Sequence, residues 1–208
     1  MKIDMMESLG YSFLRHAKRC WIVQTNWKWP RAVFNSADKE TRNCLKRRFE
    51  KMKEDFGDDV FKGTRDVEQL LKQAELDALG MTRNGEVHAL ETAFHEGGLS
   101  YGKEADTIPT VRKKMLRTYL VLKGLRYSVE NRWHVWFISP KVKDKHTKEL
   151  ETLFCELKET YCEVDWHLCI NESVKTEVWK RTLEKTEKTS DTSELLLRAK
   201  TLLKVVER

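Results

Sequence analysis

Ionisable groups interrupt the apolar run Val87-His88-Ala89-Leu90-Glu91-Thr92-Ala93-Phe94-His95-Glu96-Gly97-Gly98. Alternation of period two puts Glu91, Ala93 and His95 on one face of a strand and Leu90, Thr92 and Phe94 on the other. Shortly before it, Glu75-Leu76-Asp77-Ala78-Leu79-Gly80 is also strand-like, and Thr82-Arg83-Asn84-Gly85 between them carries the Asn-Gly of a tight turn. The two segments predict a hairpin, with Asp77 and Glu91 on neighbouring arms. Two carboxylates side by side repel unless one is protonated or a cation lies between them. A hard divalent ion such as Mg²⁺, or Mn²⁺ in its place, takes oxygen ligands and keeps several waters. One of those waters, lowered in pKa, becomes a nucleophile for a phosphodiester.

The elements that must carry these groups follow from periodicity. Asp4 to about Arg19 predicts a helix, with Leu9, Phe13 and Ala17 on one face. Residues 20–25, Cys-Trp-Ile-Val-Gln-Thr, predict a strand ended by Pro30. Residues 37–56 predict a charged amphipathic helix with an apolar stripe of Leu45, Phe49, Met52 and Phe56. The hairpin comes next, then a loop with Gly97, Gly98 and Gly102 and a helix from Pro109 to about Arg126. Residues 134–139 and 162–170 predict strands, with a helix over 145–160 between them. Residues 182–194 are polar and predict a linker. Glu194–Val206 predicts a Leu-rich helix that packs back or serves a homodimer. The order implies an α/β fold with a mixed sheet flanked by helices. It divides into a domain over 1–180, with an inserted helix near 37–56, and a linker and helix over 181–208.

That order, with acids on its second and third strands, resembles the PD-(D/E)XK nuclease superfamily, the restriction-endonuclease-like fold. Glu75-Leu76-Asp77-Ala78-Leu79-Gly80 looks like the segment bearing the first acid. Glu91-Thr92-Ala93 looks like the acid-x-Lys tripeptide, with Ala93 where the family has lysine. Glu7 on the opening helix resembles the extra acid of many members. The resemblance covers roughly residues 4–140. It implies a metal-dependent DNA endonuclease of the restriction or repair type, with Mg²⁺ (or Mn²⁺) on Asp77, Glu91 and Glu7.

The missing lysine then has to come from elsewhere, and members supply it from the following helix. That helix holds Arg112, Lys113, Lys114, Arg117 and Lys123. At 100° per residue Lys114 falls at the edge of the apolar face, while Lys113 and Arg117 point further out. Lys114 is the expected substitute, with Lys113 second. His95 is the third candidate, as metal ligand or proton acceptor. Arg112, Lys113 and Arg117 also suit the phosphates of double-stranded DNA, as does Lys28 between Trp27 and Trp29.

Composition constrains the partners. Lys+Arg of 39 against Asp+Glu of 33 gives a net charge of +6, compatible with a polyanion without demanding one. The five cysteines are odd in number and irregular in spacing, which predicts reduced thiols in a cytoplasmic protein. Cys155, Cys162, His167 and Cys169 lack the paired spacing of a zinc site. No apolar run approaches the roughly 20 residues that span a bilayer, so no membrane partner is expected. No Gly-x₄-Gly-Lys-Ser/Thr loop is present. Two rival functions stand beside DNA cleavage. One is a catalytically inactive nuclease-like scaffold that binds nucleic acid or protein; the other is a nuclease directed at RNA.

Overall fold

The computed structural model describes residues 5–30, 38–125, 132–186 and 194–199. Helix α1 (Met5–Ser12) runs into a π-helical turn at Phe13–Ala17. Arg19 then takes a left-handed φ of 56° and Cys20 N–H bonds the Leu14 carbonyl, which turns the chain out of the helix. Strand β1 therefore spans Ile22–Lys28, later than residues 20–25. Helix α2 (Lys39–Phe56) begins at Asp38, whose carboxylate accepts from Thr41 N–H, and ends at Gly57 with φ 94°. Its stripe of Leu45, Phe49 and Met52 is buried as the spacing predicts. A 3₁₀ turn (Asp58–Phe61) and helix α3 (Val67–Lys72) follow.

Strands β2 (Glu75–Met81) and β3 (Val87–Thr92) form the expected hairpin. Its turn is closed by Gly85 N–H to the Thr82 carbonyl, with Gly85 at φ 86°. After it come α4 (Thr107–Leu125), β4 (Trp133–Ser139), α5 (Asp144–Thr160) and β5 (Asp165–Ile170). Strand β5 starts later than residue 162 because Tyr161–Val164 form a turn, with Val164 N–H on the Tyr161 carbonyl. A π-helical segment (Val174–Lys180) continues into α6 (Arg181–Lys185). Residues 181–185, expected in a polar linker, are thus helical, and Thr182 is buried.

The fold is α/β. Its five strands lie in the order β1-β2-β3-β4-β5, antiparallel from β1 to β3 and parallel from β3 to β5. The parallel steps are crossed by α4 and α5, as parallel neighbours require. Strand β3 is central and buried at every position, so any polar side chain on it must be answered inside the protein. Leu45, Leu70, Tyr119 and Leu153, from α2, α3, α4 and α5, lie in the core on one sheet face. Leu9, Phe13 and Val178, from α1 and the Val174–Lys180 segment, lie with Leu90 and Trp136 in the core on the other. Gly10 lets α1 press onto β3, since a Cβ there would lie 3.1 Å from Leu90 Cδ2.

Residues 195–199 are helical, and buried Glu194 pairs with His16. The rest of the expected Glu194–Val206 helix, with Arg126, falls outside the described residues. Among those described, no helix is long and apolar enough to cross a membrane.

Candidate functional site

The β2–β3 ladder runs Met81↔Val87, Gly80↔His88, Leu79↔Ala89 and Ala78↔Leu90. The next positions in that register are Asp77 and Glu91. There the backbone pairing gives way to a side chain: Asp77 Oδ2 accepts from Thr92 N–H at 2.6 Å and from Thr92 Oγ1–H at 3.0 Å. The two carboxylates therefore belong to opposing positions where the arms part. Asp77 is half-buried and Glu91 is 1% exposed.

Helix α4 answers the buried charge. Arg117 Nη2 and Thr118 Oγ1 donate to Glu91 Oε1 at 3.3 and 2.9 Å, and Lys114 Nζ lies 3.6 Å from Oε2. Residues 114, 117 and 118 are spaced i, i+3 and i+4, so they share one helical face. Arg117 also donates to the Glu75 carbonyl at 3.1 Å. The expectation that Arg117 points away is thereby corrected: its stem crosses the packed face and its guanidinium turns in. Lys114 sits over the Tyr101 ring, 5.5 Å from its centroid.

Burial, and after it the charge of Asp77, pushes the Glu91 carboxyl above its ordinary value, against the pull of Lys114 and Arg117. For Lys114, burial works to lower the ammonium, but Glu91, Tyr101 and Asp77 outweigh it and hold it above an ordinary lysine. Glu91 Oε2 has no hydrogen-bond partner although it is buried. Lys114 gives that oxygen an ion pair at 3.6 Å, so what it lacks is a hydrogen bond, at a cost of about 1–3 kcal/mol. Its presence beside a second acid suits a hard cation.

Of the other expected site residues, His95 stays near the pair through Tyr101, and the rest are engaged elsewhere. Glu7 accepts from Asn26 Nδ2 at 2.9 Å and shares no three-ligand cluster with Asp77 and Glu91. Strand β3 ends at Thr92, so period-two alternation does not carry His95 onto the Glu91 face. His95 instead meets the Tyr101 ring edge-on at 5.2 Å. The basic groups expected on phosphate have intramolecular partners. Arg112 pairs with Glu156 at 3.4 Å, Lys113 Nζ donates to the Lys62 carbonyl at 2.7 Å, and Lys28 pairs with Glu75 at 3.4 Å. Trp29 is buried against Gly124, where even a Cβ would lie 2.3 Å from its ring.

Comparisons of the chain with protein-family models, curated proteins and solved structures give no match. The chemistry therefore rests on the side chains themselves. A second polar cluster, of which only His167 was weighed from the sequence, lies at the opposite end of β3 and on its other face. His88 and His134 are register partners on β3 and β4, their rings stacked at 4.3 Å and 10°. His134 Nδ1 lies 3.1 Å from His167 Nε2 and 3.4 Å from Asp165 Oδ2. Trp136 Nε1–H donates to His88 Nδ1 at 3.3 Å. Burial, and then the neighbouring His134, pushes His88 down to about 3. A sequence signal was there. Val87-His88-Ala89, Trp133-His134-Val135 and Trp166-His167-Leu168 each place histidine between apolar residues on a strand. Thr118 was missed as well, its hydroxyl being unremarkable until α4 packs on Glu91.

Proposed function

We propose that this chain is a metal-dependent phosphodiester hydrolase of the restriction-endonuclease-like kind, with DNA as substrate. The observation that carries this reading is the meeting of Asp77, Glu91 and Lys114 where β2 and β3 part. Strand order and direction agree with it, as does the helix preceding β1 and the crossover helix after Glu91. Each acid gives one oxygen to protein donors, Asp77 Oδ2 to Thr92 and Glu91 Oε1 to Arg117 and Thr118, while Glu91 Oε2 lacks a hydrogen bond. Asp77 and Glu91 would hold Mg²⁺ or Mn²⁺. Bound there, the ion supplies a water of lowered pKa and a counter-charge for the phosphate. Lys114 takes the part of the lysine replaced by Ala93, offsetting charge that grows on the phosphate. Tyr101, beneath its ammonium, orients it.

A second reading has its own observation. Arg117 and Lys114 already neutralise Glu91, and Arg112, Lys113 and Lys28 are engaged within the chain. That arrangement favours a scaffold without catalysis.

The test is incubation of the purified protein with supercoiled plasmid, linear duplex and RNA, each with Mg²⁺, Mn²⁺ or chelator. The hydrolase reading expects metal-dependent cleavage of DNA that Asp77→Asn abolishes. Lys114→Ala should lower the rate on the order of 10²–10³, with recovery on adding Ala93→Lys. Cleavage confined to RNA would change the substrate. No cleavage under any condition would leave the scaffold.

A further inference from the structure

We infer that Glu86, His88 and His134 form a binding site for a divalent transition ion of the zinc class, separate from the acid pair. One ligand atom from each residue lies within 4.8 Å of the others. The sheet creates this meeting. Parallel pairing sets His88 beside His134, and the Thr82–Glu86 turn delivers Glu86 at the start of β3. Two imidazoles and one carboxylate suit a borderline ion such as Zn²⁺ and leave room for water as a fourth ligand. Small rotations are needed to bring the three atoms to metal-ligand distance.

Two observations beyond proximity point to an ion. His88 is 3% exposed, yet its Nε2 has no hydrogen-bond partner. Its Nδ1 accepts from Trp136, so a proton on Nε2 would have no acceptor, whereas one on Nδ1 would face the indole N–H. Neither neutral form satisfies the ring. His134 is prepared differently. Its Nδ1 faces His167 and Asp165, while its buried Nε2 is also without a partner. A carboxylate behind one imidazole nitrogen, with the other nitrogen open, is the arrangement that orients a metal-binding histidine.

Charges of both signs surround the site. Lys18, 4.3 Å above the Trp136 ring, brings a positive charge to this face, and Arg132 is bound by Asp165 at 2.7 Å. Glu86 and Asp165 supply the opposing carboxylates. Loading has one identifiable cost: a His88 that turns to the ion gives up the 3.3 Å bond from Trp136. That loss makes the indole N–H a reporter.

The experiment titrates the chain with Zn²⁺, and with Co²⁺ as a coloured probe, in buffer kept reduced by a phosphine rather than a thiol and free of Mg²⁺. Calorimetry, visible absorption and the Trp136 indole N–H resonance are followed. Saturable binding, a Co²⁺ spectrum of nitrogen and oxygen ligation and displacement of the Trp136 resonance are expected. Glu86→Gln, at a half-buried position, and His134→Gln should abolish the Co²⁺ spectrum. Asp165→Asn should weaken binding about 10–100-fold, the scale for a residue behind a ligand. Asp77→Asn should leave the Co²⁺ spectrum of nitrogen ligation and the Trp136 displacement unchanged, removing only the heat of any ion held by the acid pair. The inference is overturned if wild type binds neither ion. It is equally overturned if Glu86→Gln and His134→Gln bind as wild type does, which would put the metal on exposed thiols such as Cys155 and Cys162. Far-ultraviolet circular dichroism of each variant separates lost ligation from lost folding.

Discussion

Strand β3 carries two ionisable residues with opposite fates. Glu91, near its end, meets α4, which provides a guanidinium, a hydroxyl and a nearby ammonium. His88, three positions earlier and so on the other face, meets an apolar layer containing Phe13 and Trp136, and one nitrogen remains unanswered. Helix α4 gives Glu91 charge partners; His88 Nε2 is given no partner. A polar group buried at the centre of a sheet is either neutralised by the protein or left for something outside it. The acid end mixes the two solutions, with Oε1 satisfied and Oε2 not. The histidine end follows the second.

Breaking this contrast should have its largest effect at the acid end. Arg117→Ala removes one partner of a carboxylate that is 1% exposed and should cost about 3 kcal/mol in urea unfolding. Adding Glu91→Gln should recover a large part of that loss, because no charge is then left behind. If Arg117→Ala is neutral, Glu91 is not held as a buried anion and the contrast fails.

The next effect is in pH. Burial and Asp77 raise the folded pKa of Glu91 above 4.5, so the native state binds its proton more tightly than the unfolded chain. The stability linked to that proton is fully present below about pH 4.5 and is lost as pH rises through the folded pKa. Wild type compared with Glu91→Gln should therefore lose relative stability from acid toward neutral pH. A difference that grows with pH would mean that Lys114 and Arg117 overcome burial.

At the histidine end the metal-free protein should tolerate change. His88→Leu strands the Trp136 N–H but removes an unpaired imidazole nitrogen, and these opposed terms of roughly 1–3 kcal/mol each should nearly cancel. A net change within about 1 kcal/mol is expected in chelator, with loss of any thermal stabilisation by Zn²⁺. A large cost in chelator would mean that the stacked rings are a structural support in their own right.

The smallest effect belongs to the surface. Lys28 is 70% exposed in its pair with Glu75, and Lys28→Ala should change stability by less than about 0.5 kcal/mol. A cost comparable with that of Arg117→Ala would remove the distinction between buried and exposed compensation.

Local signals carried a large share of this molecule. Asn84-Gly85 and the alternation around it set the hairpin, because a two-fold side-chain period and a left-handed turn residue are short-range facts. The buried stripe Leu45, Phe49 and Met52 was likewise legible from helical spacing. Lys114 at the margin of its helix followed from azimuth alone, and it reaches Glu91. Strand ends were less legible. Whether the strand stops at Thr92 or runs on to His95 depends on its pairing with β4, which reaches as far as Ala93 N–H on the Ile138 carbonyl.

What only the tertiary structure decided is which groups meet across long separations. The residue sequence names Asp77, Glu91 and Lys114 but contains no register, and register puts the acids at opposing positions and brings Arg117 with Thr118 onto one of them. His88 and His134 are 46 positions apart and became neighbours only when β4 joined β3 in parallel. Period and propensity act over a turn or a strand, whereas parallel pairing is selected by burial of whole apolar faces. The sequence determined which side chains face which side of each element; the packing of those faces decided which charges are answered.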